Sequence, residues 1–207
     1  MKFNAILRSA AAALALASAA LPAAAQYVFN ATDVAAFGAA PYGTVTLTQD
    51  GSNVDFRVDL RGDLNFLTTG GHNVFAFNGS GVVLADIVDI DDALGSAATF
   101  KAIVPGIDPP FGSFSFGIVC DTGCSPGGSA GGYPDPLSFT VKNASVSDFL
   151  LLSSGGAYFA ADVLQAGTGA TGAIGVTAAV PEPETYALML AGLGAMGFVA
   201  KRRRKAA

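Results

Sequence analysis

The sequence predicts an all-β protein, an antiparallel β-sandwich or jelly roll, with an N-terminal signal peptide and a single C-terminal transmembrane helix. Three observations predict this arrangement. Runs of alternating polar and apolar residues fill the middle of the 207-residue chain, Gly and Pro clusters separate them, and an uncharged apolar segment lies near each end. Length and composition exclude a large multidomain enzyme, a disordered tail protein, a collagen and a polytopic membrane protein.

The first 25 residues have the pattern of a signal peptide. Lys2 and Arg8 give a positively charged start, and an apolar run follows from Ala10 to Leu21. Small residues at positions 23–25 predict cleavage before Gln26. The Sec machinery and signal peptidase are therefore predicted partners, and an uncleaved membrane anchor is the alternative.

The C-terminal segment predicts a membrane span that ends in the cytoplasm. Residues 185–200 carry no charge and follow a proline-punctuated acidic stretch at 180–184, which resists helix formation. A 16-residue helix spans about 24 Å, short of the ~30 Å hydrocarbon core, so flanking basic side chains would have to extend to the interface. Five basic residues follow, and they should keep this end on the cytoplasmic side of the inner membrane: Lys201, Arg202, Arg203, Arg204 and Lys205.

The Pro-Glu-Pro motif, the apolar span and the basic tail resemble, in this order, the PEP-CTERM sorting signal over residues 180–207. This type of tail is also called an ice-binding protein C-terminal motif, a name that describes the tail and is no evidence of ice binding. In that family, exosortase, a membrane-embedded cysteine transpeptidase, recognises the tail and cuts near the motif. The family occurs in Gram-negative bacteria that make exopolysaccharide and biofilm.

The resemblance implies that Pro181, Glu182 and Pro183 form the recognition element. It also implies a protein that is exported across the inner membrane, anchored there transiently, and then released to the cell surface or extracellular matrix. Association with exopolysaccharide and biofilm is part of the same expectation. A plain stop-transfer anchor is the alternative reading of the tail.

Residues 26–165 are predicted to form the β-sandwich, and residues 166–179 a Gly/Ala/Thr linker with a last strand near 173–176. Two alternating runs around residues 49–52 predict a β-hairpin whose Val54, Phe56, Val58 and Leu60 face a core. Further strands are predicted at Asn73–Phe77, Val82–Val88, Thr99–Val104, Ser113–Val119, Ser138–Lys142 and Tyr158–Leu164. Only Ser145–Leu152 has helical character, with a cap-like Ser145 and Asp148 at its start.

The charge of the predicted domain excludes two classes of partner. Between residues 26 and 179, four basic residues oppose 14 aspartates, so the net charge is −10. Such a domain repels nucleic acid and anionic lipid, although it could bind divalent cations loosely. We predict no cofactor and no nucleic-acid partner.

Two groups of residues are candidate binding or linking sites. Cys120 and Cys124 predict a disulfide, since the chain is exported to an oxidising compartment; a redox pair or half of a metal site are the alternatives. Four clustered aspartates supply hard oxygen ligands for Ca²⁺ but lack the EF-hand spacing, and a solvated strand end and loop is the alternative: Asp86, Asp89, Asp91 and Asp92.

The sequence predicts that the protein is not an enzyme. His72 is the single histidine, no Gly-x-Ser-x-Gly nucleophile motif is present, and Gly70-Gly71-His72 is typical of a turn before a strand. An enzyme would need the fold to bring His72 together with a hydroxyl and an aspartate. The alternative to a non-enzymatic surface protein is an extracellular carbohydrate- or calcium-binding module that uses the loops Pro105–Phe111 and Ser125–Pro136, with Phe111 and Tyr133.

Overall fold

The computed structural model describes residues 24–92, 98–123, 132–133, 136–178 and Leu193. Residues 1–23 of the predicted signal peptide lie outside this range. So do the Pro-Glu-Pro motif, the basic tail and, apart from Leu193, the predicted transmembrane segment 185–200. Within the described residues, no helix is long and apolar enough to span a membrane.

The described residues form 14 strands and three short 3-10 helices. The strands are β1 (Ala24–Val28), β2 (Ala31–Thr32), β3 (Gly43–Asp50), β4 (Asn53–Leu60), β5 (Leu64–Phe66), β6 (Phe75–Phe77), β7 (Ile87–Asp92), β8 (Thr99–Ile103), β9 (Gly106–Ile107), β10 (Ser113–Phe114), β11 (Phe116–Thr122), β12 (Leu137–Val141), β13 (Phe159–Gln165) and β14 (Thr171–Val176). The 3-10 helices are Ala35–Phe37, Leu84–Asp86 and Val146–Phe149.

The strands build two antiparallel sheets, as the predicted fold class requires. The first sheet has the order β1-β3-β4-β12-β7. The second has the order β2-β14-β13-β6-β11-β8, and β5 also pairs with β13. A separate two-stranded hairpin joins β9 and β10.

One aromatic core joins the inner faces of the two sheets. The ring of Phe56 in β4 lies 5.3 Å from that of Phe77 in β6, and the ring of Phe139 in β12 lies 5.3 Å from the same Phe77 ring. The residues predicted to face inward from β4 are all buried, because alternate side chains of a strand point to the same side. The predicted β3–β4 hairpin is confirmed, with pairing from Gly43↔Leu60 to Asp50↔Asn53.

The structure differs from the predicted elements where side chains hydrogen bond to nearby backbone. The predicted strand 82–88 begins instead as the 3-10 helix Leu84–Asp86, because the Asp86 carboxylate accepts the Val83 N–H at 3.1 Å. The predicted helix 145–152 is shortened to Val146–Phe149. Its start is closed as expected, since the Asp148 carboxylate accepts the Ser145 N–H at 2.8 Å.

Both boundaries of the sandwich extend beyond residues 26–165. The strand predicted near 173–176 is β14, which pairs with β13 from Leu164↔Thr171 to Phe159↔Val176 and so belongs to the second sheet. At the other end, β1 begins at Ala24 and pairs with β3, so the predicted cleavage before Gln26 falls within this strand.

Candidate functional site

The predicted calcium ligands do not converge within the described residues. The Asp86 carboxylate accepts the Val83 N–H at the start of the 3-10 helix Leu84–Asp86. Asp89 lies at a β-bulge of β7 and has a φ of 54°. In the described part of the chain, no group of three His, Cys, Asp or Glu side chains is placed to hold a metal ion. The side chain of Asp92 lies outside that description, and calcium binding stays a prediction.

The predicted disulfide also stays a prediction. Cys120 lies in β11 opposite Phe100 of β8. Cys124 lies outside the described residues.

The aromatic residues expected to line a carbohydrate site are not at the surface. Phe111 is 6% exposed and Tyr133 is 4% exposed. The Tyr133 ring packs edge-on against Phe100 at 5.1 Å. Neither ring therefore offers an open face on which a sugar could stack.

The buried Phe111 belongs to a second, smaller core on the outer face of the second sheet. It packs there with Phe114 and four alanines, Ala76, Ala157, Ala160 and Ala173. Gly175 of β14 makes room for the ring, since a Cβ at this position would lie 2.5 Å from a Phe111 ring carbon. The β9–β10 hairpin and its turn thus cover this face of the sheet.

A buried polar cluster lies beside this second core, where the segment between β5 and β6 leaves the sheet. Both strands pair with the same edge of β13, and between them the Asp162 carbonyl accepts the Leu67 N–H while the Asp162 N–H donates to the Asn73 carbonyl. The Asp162 carboxylate fills the gap between them. It accepts the N–H of Thr69 at 2.6 Å and the hydroxyl of Thr69 at 2.7 Å.

The segment between β5 and β6 also contains His72, which contacts the covering β9–β10 hairpin. Nδ1 of His72 lies 2.7 Å from Oδ1 of Asp108, which follows β9 and is fully buried. Next to it, the Asn73 side chain accepts the Ile107 N–H at 2.5 Å. The polar cluster of His72, Asp108, Asp162 and Thr69 therefore ties the hairpin to the sheet.

Burial favours the protonated forms of the acidic groups in this cluster. It raises the pKa of Asp108 to about 7, although the hydrogen bond from His72 opposes the shift. It also raises the pKa of Asp162, against the opposing hydrogen bonds from Thr69. The hydrogen bond to Asp108 raises the pKa of His72, and the negative charges of Asp162 and Asp33 act in the same direction.

Two carboxylate oxygens of the cluster have an unusual environment. Oδ2 of Asp108 and Oδ1 of Asp162 are buried and have no hydrogen-bond partner among the described residues. A buried ionised carboxylate without partners is costly. This cost is the physical reason why the cluster retains protons to a higher pH than isolated carboxyl groups would.

The cluster meets only part of the requirement set for an enzyme. An imidazole held by a carboxylate is the arrangement of a general base, and the His72 side chain is 20% exposed. The nearby hydroxyl of Thr69, however, donates to Asp162, so it is directed away from the role of a nucleophile activated by His72.

Sequence reasoning singled out His72 but missed its partners. Asp108 is 36 positions away along the chain, in a Pro-rich loop that has no helical or strand periodicity. A signal for Asp162 was present, because it is the one charged residue of β13, whose other residues from Phe159 to Leu164 are all apolar and buried. A carboxylate in such a strand needs a partner.

A surface cavity of about 210 Å³ lies away from this cluster, at one end of the β3–β4 pair. It is lined by Pro41, Gly43, Thr44, Asp59, Leu60 and Arg61. The Arg61 guanidinium is already bonded to the Phe37 carbonyl and to Asp63, and Asp59 is paired with Arg57. The charged groups at this cavity therefore have partners within the protein.

Comparison with known proteins identifies the C-terminal part of the chain. Residues 179–204 match the PEP-CTERM protein-sorting motif. The match confirms the resemblance of the tail, which follows directly on the sandwich. The PEP-CTERM tail implies an exported protein that is processed by exosortase, with membrane-anchored sorting before display at the cell surface. Neither the curated proteins nor the solved structures contain a match to this chain.

Proposed function

We propose that the β-sandwich is a non-enzymatic passenger that the PEP-CTERM tail delivers, through exosortase, to the cell surface or extracellular matrix. There it would act in association with exopolysaccharide and biofilm. The observation that carries this proposal is the motif match at residues 179–204, which begins three residues after β14 ends at Val176. The folded domain and the sorting signal are therefore adjacent in the same chain.

The internal pairing of the polar cluster supports the non-enzymatic part of the proposal. The bond from Thr69 to Asp162 holds the segment between β5 and β6 on β13, and the contact of His72 with Asp108 holds the covering hairpin on that segment. A structural role accounts for all four groups. The polar outer face of the first sheet supports it too, since its exposed Asp55 and Arg57 bond to neighbouring side chains of the same face.

The experiment replaces the recognition motif in the native host. The variant Pro181→Ala/Glu182→Ala/Pro183→Ala should stay in the membrane fraction at the mass of the unprocessed C-terminus, whereas the native chain should appear outside the cell in a shorter form. Glu184→Ala is the matched control, because it removes an adjacent acidic residue and leaves the motif intact. Intact-mass measurement of both fractions gives the result. Unchanged release of the triple variant would contradict the proposal.

The Asp108–His72 pair favours one second candidate, a hydrolase in which His72 acts as the general base. The test is hydrolysis of a panel of chromogenic esters and glycosides by the purified protein, with His72→Gln as the control. Turnover that is lost in His72→Gln would support this candidate. Equal rates for the two proteins would reject it.

A further inference from the structure

The exposed large apolar side chains of this domain are concentrated in a few segments of the chain. In the described residues 24–178, seven of them are 40–58% exposed: Val83, Leu84, Val104, Ile107, Leu150, Leu151 and Leu152. Three of these are consecutive leucines. Scattered exposed apolar residues are ordinary, but a contiguous group marks an interaction surface.

Strand pairing places six of the seven at one end of the second sheet. Phe77, the last residue of β6, pairs with Phe159, the first of β13, and with Phe116, the first of β11. The last residue of β8, Ile103, pairs with Gly117. The segments that follow β6 and β8 and the segment that precedes β13 therefore leave the sheet at the same end.

Hydrogen bonds connect two of these segments directly. The Asn78 side chain donates to the Leu151 carbonyl at 3.3 Å, and the Ser80 N–H donates to the Asp148 carbonyl at 2.9 Å. We call the six residues Val83, Leu84, Val104, Leu150, Leu151 and Leu152 the apolar end.

The chain leaves for the sorting signal from this same end. Val176, the last residue of β14, pairs with Phe159, and its carbonyl accepts the Tyr158 N–H at 2.8 Å. Only residues 179–184 separate the described domain from the apolar segment 185–200. Fully extended, this link reaches about 25 Å at most, so a membrane-inserted tail would hold the apolar end close to the bilayer.

We propose that the apolar end rests on the lipid surface of the inner membrane while the sorting tail is still attached. This inference rests on the proposed function, since it needs a tail that is inserted in the membrane. Leucine and valine side chains at the end of a domain can be buried at the headgroup boundary, which removes their apolar surface from water.

The charges at this end indicate what kind of lipid contact is possible. The segments 78–86, 104–115 and 145–158 contain no Lys or Arg. Their half-buried acidic groups, Asp86 and Asp148, accept the backbone N–H groups of Val83 and Ser145, which cap the 3-10 helices. The contact would therefore be apolar, would need no anionic lipid, and would change little with salt concentration.

The experiment uses the absence of tryptophan from the sequence. In the full chain, Leu151→Trp introduces a single fluorescent reporter at the apolar end, and Leu152→Trp gives a second one. Ala166→Trp is the matched control, because this exposed residue lies in the β13–β14 turn at the opposite end of the sheet. Each protein is reconstituted into zwitterionic vesicles with and without brominated acyl chains.

We expect the emission of Leu151→Trp and Leu152→Trp to shift to shorter wavelength and to lose intensity in brominated vesicles, equally at low and high salt. Ala166→Trp should show neither change. If both apolar-end reporters emit like the control in vesicles that do retain the chain, the lipid contact is overturned while the membrane step of sorting stands. If the chain does not float with the vesicles at all, the proposed function fails as well.

A processing assay separates lipid from a protein partner. If Leu150→Ser/Leu151→Ser/Leu152→Ser slows tail removal in cells, but the reporters are not quenched by lipid, the surface binds exosortase and the lipid assignment is wrong.

Discussion

Two threonine–aspartate hydrogen bonds of equal length lie on the outer faces of the two sheets. On the first sheet, the Thr140 hydroxyl donates to Asp55 at 2.7 Å in contact with solvent. On the second, the Thr69 hydroxyl donates to Asp162 at 2.7 Å, and Asp162 has no exposed surface. The bonds are alike, but the β9–β10 hairpin covers only the second.

The charged pairs repeat this contrast. Nη2 of Arg57 lies 2.7 Å from Oδ1 of Asp59 on the solvated face, and Nδ1 of His72 lies 2.7 Å from Oδ1 of Asp108 where the hairpin turn meets the segment between β5 and β6. The pKa of Asp108 is raised by burial to about 7. The surroundings of a polar contact, rather than its length, therefore determine what it contributes to stability and how it responds to pH.

The largest effect should come from removing the covering ring. Phe111→Ala should lower the free energy of unfolding by about 3 kcal/mol, because it empties the second core. Arg57→Ala on the solvated face is the control and should change it by less than about 0.5 kcal/mol. Urea unfolding followed by circular dichroism gives both values. A Phe111→Ala protein as stable as the native one would mean that the hairpin contributes nothing.

The second largest effect should be a difference in stability between variants of the two threonine–aspartate hydrogen bonds. Asp162→Ala leaves the half-buried N–H and hydroxyl of Thr69 without their acceptor, and should cost about 2 kcal/mol of unfolding free energy. Asp55→Ala exposes Thr140 to water and should cost less than about 0.5 kcal/mol. The same urea titrations apply. Equal losses in the two variants would contradict the contrast between the faces.

The pH dependence should be a smaller effect, since the charge on His72 offsets part of the cost of ionising Asp108. Folded Asp108 holds its proton up to a pKa of about 7, whereas the unfolded chain releases it near its ordinary value. Its contribution to stability is therefore complete below about pH 4 and is lost as the pH rises through 7. The raised pKa values of Asp162 and His72 act with the same sign.

Thermal unfolding between pH 4 and 8 tests this dependence. Asp108→Asn should flatten the decline in stability, and Asp59→Asn on the solvated face should leave it unchanged. A native stability that rises steadily over this range would contradict the assigned direction.

Asp63 is a solvated carboxylate whose contribution to stability should change at acid pH, in contrast to the buried Asp108. Its hydrogen bond with Arg61 lowers its pKa to about 2, so its contribution is present above its ordinary pKa and is lost as the pH falls through 2. We expect the smallest effect here, because the side chain is 40% exposed and solvent screens the pair. Asp63→Asn should lower the stability slightly above pH 4 and remove this part of the loss between about pH 4 and pH 2. An unchanged acid-side loss in thermal unfolding would argue against the assignment.

Sequence patterns predicted correctly those elements that depend on interactions between residues close along the chain. The β3–β4 hairpin follows from alternation and from the Asp50–Gly51 turn, and Ser145 and Asp148 close a helical start as predicted. The predicted strand at 82–88 failed because Asp86 bonds to nearby backbone, a competition that periodicity does not express. The strand predicted near 173–176 is β14, whose Gly-rich sequence carries a weak strand pattern and which is held by pairing with β13.

The class of fold and the sorting signal at residues 179–204 are predictable from the amino-acid sequence, because alternation, turn residues and a contiguous motif involve residues that are close along the chain. Which polar groups are buried together depends on how distant segments pack. His72, Asp108 and Asp162 come from three separate segments, and they meet only because β5 and β6 share β13 while a hairpin folds over the sheet. The apolar end has the same origin, since strand pairing brings the segments that carry its leucines and valines to the same end of the second sheet.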